Sequence, residues 1–222
     1  MSFDISLINQ IRETIHENPQ LRCFPIGATY LQERYTKEAR GTSDIDFVVV
    51  PKGKINQVKL EKMIIKQMQS LKCGVNSQSN NPLRFKTTRN INVHIYPHKI
   101  GDFDISKNML NRVNENRQFC IEDYVFLKLL PVEREKDRSD IIFILQKNPT
   151  FRWEILLGEL ENQLETYEQK FGSGVTYNKV VEIGNTLELI RDEYPDLIPQ
   201  ESMDTLTKIL DHYDSRLKLK EK

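Results

Sequence analysis

No apolar run in the 222-residue chain approaches the roughly 20 residues that a membrane-crossing helix needs. No charge of one sign dominates either. Lys plus Arg and Asp plus Glu both number 32, so the formal net charge is zero. Overall charge therefore gives no pull toward nucleic acid, although a local patch could still supply one. Cysteine is scarce: Cys23, Cys73 and Cys120 are widely spaced and odd in number. That argues against a disulfide frame or a zinc site and predicts reduced thiols in a cytoplasmic protein. Repeats and low-complexity segments are lacking. The opening stretch through Ile15 reads as an amphipathic helix, not a signal peptide. What remains is a chain with 29% charged and 38% apolar residues, long enough for one large or two small domains and expected to be soluble with no membrane partner.

The most informative stretch runs from Ile26 to Val50. Gly27 allows the backbone to approach a phosphate closely, because no Cβ stands in the way. A helix beginning there would direct amide groups at an anion. Further on, Asp44-Ile45-Asp46 runs into Phe47-Val48-Val49-Val50. Ile, Phe and Val form strands readily and aspartate does not. Alternation on a strand puts Asp44 and Asp46 on one face and Ile45, Phe47 and Val49 on the other. Two carboxylates that close repel, and a shared cation relieves the repulsion. A hard divalent ion such as magnesium accepts carboxylate oxygens and leaves positions for phosphate and water. Alternatively, Asp-Ile-Asp is a solvated acidic strand end.

The rest of the chain reads as follows. Residues 5–17 have helical spacing and stop at Asn18-Pro19. Residues 21–26 suggest a strand, 29–38 a helix, 45–50 a strand, 58–71 a helix, and the Ser/Asn-rich stretch 73–81 a loop. Leu83 to Thr87 and Asn90 to Tyr96 both alternate. In the second, Ile91, Val93 and Ile95 share one face, and Asn92, His94 and Tyr96 the other. That strand lacks Asp and Glu, and its polar face carries Asn92 and His94. Imidazole suits manganese, zinc or nickel better than magnesium, and a strand histidine is also a generic titrating group. From residue 105 onward the character is helical: 121–130, the charged run from Glu133 into Ile142, 151–171, 175–192 and 202–219, with a frayed tail expected beyond. Lys128 sits among Leu127, Leu129 and Leu130 and so requires a partner.

Gly27-Ala28-Thr29 followed by Asp44-Ile45-Asp46 resembles the signature of the DNA polymerase β-like nucleotidyltransferase superfamily. The wording Arg40-Gly41-Thr42-Ser43-Asp44-Ile45-Asp46 is most similar to small prokaryotic nucleotidyltransferases of the AbiEii toxin type, with Ala28 standing where Gly or Ser is usual. Lys128, followed by Arg134-Glu135-Lys136-Asp137 and Asp140, resembles a second motif of that family. The resemblance covers about residues 21–145. It implies an α+β fold: a small mixed β-sheet with flanking helices (residues 1–114), then a helical region (115–222). It also implies transfer of a nucleoside monophosphate from a nucleoside triphosphate to an acceptor hydroxyl on RNA, protein or a small molecule. Asp44 and Asp46 would hold Mg2+ or Mn2+, with Asn92 or His94 as a candidate further ligand. Gly27, Ala28, Thr29, Arg40, Ser43, Lys128, Arg134 and Lys136 would contact the nucleotide, and Asp137 and Asp140 would orient the basic groups. A cognate antitoxin is an implied partner. Two other readings share the site. One is a catalytically degenerate module that binds nucleotide, RNA or a partner protein. The other is an antibiotic-type adenylyltransferase with a deep acceptor pocket.

Overall fold

A computed structural model describes residues 5–35, 38–39, 41–75, 82–130 and 134–220. The fold is α+β, with a five-stranded mixed sheet flanked by helices and a helical C-terminal region. The chain forms two compact units. One comprises Met1–Ile105 with Val113–Gln118, the other Ser106–Arg112 with Phe119–Lys222.

In the first unit, α1 (Ile5–His16) leads into β1 (Leu21–Pro25), α2 (Gly27–Tyr35), β2 (Asp44–Pro51) and α3 (Gln57–Ser70). Then follow β3 (Gly74–Val75), β4 (Leu83–Lys86), β5 (Asn92–Pro97) and a two-stranded hairpin, β6 (Lys99–Ile100) with β7 (Phe103–Asp104). The main sheet has the order β1-β2-β5-β4-β3. β2 and β5 are parallel, and the remaining neighbours are antiparallel. Ile45, Phe47 and Val49 of β2 share a buried layer with Leu83, Phe85, Val93 and Ile95. Ile8, Ile11 and Ile15 of α1 and Leu60, Ile64 and Met68 of α3 close that layer. The apolar face of each helix recurs every three or four residues, so one stripe can seal one sheet face.

α2 packs on β2. Phe24 and Val48, which pair across β1 and β2, are also buried, as are Tyr30 and Leu31 of α2. Both faces of β2 are therefore closed along its later half. Only its first residues, where Asp44 and Asp46 are half-buried, stay open. That is why Val48-Val49-Val50 reads as a continuous apolar run while Asp-Ile-Asp-Phe alternates.

The second unit contains α4 (Lys107–Asn111), α5 (Ile121–Leu129), α6 (Glu135–Lys147), α7 (Trp153–Phe171), α8 (Ser173–Glu193) and α9 (Gln200–Lys220). α7 packs on α5, α8 and α9. Gly172, at φ +86°, turns the chain between α7 and α8, a backbone state that costs glycine little. Trp153 and Tyr167 are buried core residues of α7. Among the described residues no helix is long and apolar enough to cross a membrane.

Two details differ from the sequence expectation. The polar stretch after Leu71 carries the short strand β3, paired with Lys86 and Phe85, while residues 76–81 lie outside the described residues. The β6–β7 hairpin was not expected, since two-residue strands leave no periodicity to read, and α4 lies in the stretch after Asp104 that reads as helical without a separate helix being assigned there. All three cysteines are free thiols.

Candidate active site on the open sheet face

β2 and β5 run in parallel register, with Asp44 level with Asn92 and Asp46 level with His94. Residues level with one another on paired strands project to the same face. The four polar side chains expected to alternate away from the core therefore form one cluster. Asn92 Nδ2 donates to Asp44 Oδ1 at 3.2 Å, and His94 Nδ1 lies 3.1 Å from Asp46 Oδ1. Each aspartate thus has one oxygen engaged by β5.

The start of β2 is pinned from two directions. The Thr42 hydroxyl donates to the Asp44 carbonyl at 3.1 Å, and the Asp44 N–H donates back to that hydroxyl at 3.3 Å. From α2, the Thr29 hydroxyl accepts the Asp46 N–H at 2.9 Å, and the Ile26 N–H donates to the Asp46 carbonyl at 3.0 Å. The helix start and the acidic strand are thereby tied at one residue, Asp46.

Gly27 occupies the left-handed region at φ +58°. A Cβ built there would lie 2.6 Å from Asp46 Oδ2, so glycine is required both by backbone conformation and by space. The carboxylate of Asp46 sits directly against the first residue of α2. Ala28 and Thr29 have buried side chains, and the Thr29 hydroxyl is already occupied. A ligand at this helix start would meet backbone and Asp46, not side chains of the first turn. Ser43 is exposed at the bend before β2.

His94 is held above the ordinary imidazole pKa. The hydrogen bond to Asp46 is the main cause. Burial opposes it, the charges of Asp46 and Asp44 add to it, and Arg84 works against it. A Nδ1–carboxylate contact of this kind orients an imidazole and leaves Nε2 as the ring nitrogen available to a ligand or proton.

The donor set fits a hard divalent ion in part. Asp44 and Asp46 present oxygens side by side on an open face, beside a glycine cradle, which suits magnesium or manganese with phosphate and water completing the shell. Among the described residues no group of three His, Cys, Asp or Glu side chains could enclose an ion. Any ion here would be held by the two carboxylates and by its substrate.

Lys128, Arg134 and Lys136 belong to the helical unit. Lys128 is 7% exposed, and its Nζ donates to Asp137 Oδ1 at 2.6 Å and Asp140 Oδ2 at 2.7 Å. That supplies the partners an apolar surrounding demands. Arg134 is exposed and stands beside Asp137, and Lys136 is exposed. Arg40 lies outside the described residues. Two residues near the acids had no role in the sequence reading. Thr42 could have been found as a hydroxyl two residues before an aspartate, a turn-forming spacing. Arg84 could not, because its position level with His94 depends on strand pairing.

No family model matches the chain, and no curated protein matches it. Among solved structures, it is similar to one described as the structural basis for the activity of a cytoplasmic RNA terminal U-transferase. The TM-score is 0.34 and the identity 12%, over 68% of this chain and 38% of that one, so the chain spans well under half the length of that neighbour.

Proposed function

We propose that the protein is a nucleotidyltransferase that moves a nucleoside monophosphate from a nucleoside triphosphate to an acceptor hydroxyl. The observation that carries this reading is the pair of co-facial aspartates, Asp44 and Asp46, at the open end of β2 with Asp46 against Gly27. Asp44 and Asp46 would hold Mg2+ or Mn2+. When bound, such an ion supplies positive charge to the phosphate oxygens and eases deprotonation of the attacking hydroxyl. The chain's own contribution is positional. Thr29 and Thr42 fix the backbone of the strand start, while Asn92 and His94 orient one oxygen of each carboxylate. Gly27 leaves room for the Asp46 carboxylate against the α2 start. The second ring nitrogen of His94 would accept a proton from a hydroxyl on that face.

Asp44→Asn should abolish nucleotide incorporation and weaken manganese-dependent triphosphate binding by at least tenfold, while the melting temperature moves by only a few degrees, as for a partly exposed polar site. Undiminished incorporation of labelled nucleotide by this variant would overturn the assignment. A second reading has its own support: β5 offers the amide of Asn92 and the imidazole of His94 where a third carboxylate would complete an ion site. A nucleotide- or RNA-binding module of toxin–antitoxin type, without catalysis, follows from that. Calorimetry that shows triphosphate binding but no pyrophosphate release with RNA, protein or small-molecule acceptors selects it.

A further inference from the structure

The open face does not end at β5. β4 is antiparallel to β5, with Arg84 level with His94 and Lys86 level with Asn92. Leu83 and Phe85 of the same strand point into the core, so Arg84 and Lys86 share the face of the aspartates. The result is a grid of two rows: Asp44, Asn92, Lys86 and Asp46, His94, Arg84. Charge changes sign across it, from two carboxylates on β2 to two cations on β4. The separation is two strand spacings, about 10 Å. Arg84 and Lys86 are exposed. The carboxylates of this face are already engaged by Asn92 and His94, and neither cation forms an ion pair with any described residue.

A face that is cation-seeking at one side and anion-seeking at the other matches one kind of ligand: a polyanion carrying its own divalent counter-ion. We infer that Arg84 and Lys86 bind phosphate groups of the substrate, as a chain of phosphates laid across β5 from the aspartate pair. Guanidinium and ammonium groups bind phosphate through charge-assisted hydrogen bonds, the first of them bidentate. This deepens the nucleotidyltransferase reading and rests on it. The phosphates come from one of two sources, the polyphosphate tail of the nucleotide donor or the phosphodiester backbone of an RNA acceptor. Basic residues near a sheet edge can also serve only to keep edges from pairing, and the test separates that role.

The test uses the full-length protein with Arg84→Gln/Lys86→Gln, the charge-preserving Arg84→Lys/Lys86→Arg, and Asp44→Asn/Asp46→Asn. Binding of manganese–ATP, AMP and a single-stranded oligo-uridine is measured against salt, with melting temperature as the check on folding. If the nucleotide tail is the source, the glutamine pair weakens ATP about tenfold or more and AMP less than twofold, and the charge-preserving pair restores most of it. If the acceptor is the source, oligo-uridine affinity falls instead, and its logarithmic salt slope drops by about 0.7 for each phosphate no longer neutralised, the single-strand value. Unchanged affinity for both ligands in the glutamine pair, with the asparagine pair impaired, overturns this inference and leaves the proposed function standing. The converse pattern overturns the metal-site reading and supports the phosphate contacts. A wild-type protein that binds neither ligand overturns both.

Discussion

Gly27 shows how one residue can serve conformation and chemistry together. Its φ of +58° and the 2.6 Å approach of an added Cβ to Asp46 Oδ2 predict that Gly27→Ala destabilises the protein by about 2 kcal/mol, the sum of left-handed strain and displacement of a carboxylate. In urea titrations, the double variant Gly27→Ala/Asp46→Ala should lose less than the two single losses combined, because the clash is removed. His94 makes a pH prediction. Its pKa is raised by Asp46 above the ordinary value of 6.5. The ion pair therefore stabilises the fold fully below the unfolded value of about 6.5. That contribution is lost as pH rises through the folded value, when the imidazole gives up its proton. In an NMR titration the His94 resonance should move with a midpoint above 6.5, and Asp46→Asn should bring that midpoint down. His16 should behave oppositely: burial lowers its value despite its bond to the Cys23 carbonyl.

At the scale of elements, α5 and α6 are joined by a buried charge cluster. Lys128 lies between Asp137 and Asp140. Lys128→Met should cost about 3–5 kcal/mol, since two buried carboxylates lose their cation, and adding Asp137→Asn and Asp140→Asn should recover part of it. Chemical denaturation measures both. A phosphate-binding lysine would instead leave stability near wild type and alter only ligand affinity. The need for a partner was legible in the run Leu127-Lys128-Leu129-Leu130, but whether that partner is a carboxylate or a ligand was not, because the answer lies on another helix. The strand carrying Asp44 and Asp46 was equally legible, since alternation in Asp-Ile-Asp-Phe assigns faces locally. So was the polar face of Asn92 and His94. Their register against the aspartates was not, because pairing partners 48 residues apart leave no mark within either strand. The long helices α7, α8 and α9 were read from apolar spacing and proline stops. Their ends shifted by up to two residues, within the range over which helix termini fray.

For the whole molecule, equal numbers of acidic and basic residues and a pI near 6.9 predict a solubility minimum close to neutral pH, with recovery at pH 5 and pH 9. Precipitation assays in ammonium sulfate across that range check it. The parallel pairing of β2 with β5 has a further consequence for how this chain can change. Inserting or deleting one residue between Asp44 and Val50 would flip the strand on one side of the edit to the opposite sheet face, bringing either an aspartate inward or an apolar side chain outward. Only even-numbered edits preserve which side is oily and which is acidic. Mutational scanning with single-codon indels should therefore find the strand intolerant, while the same indels at the Lys52-Gly53-Lys54 turn pass with little effect.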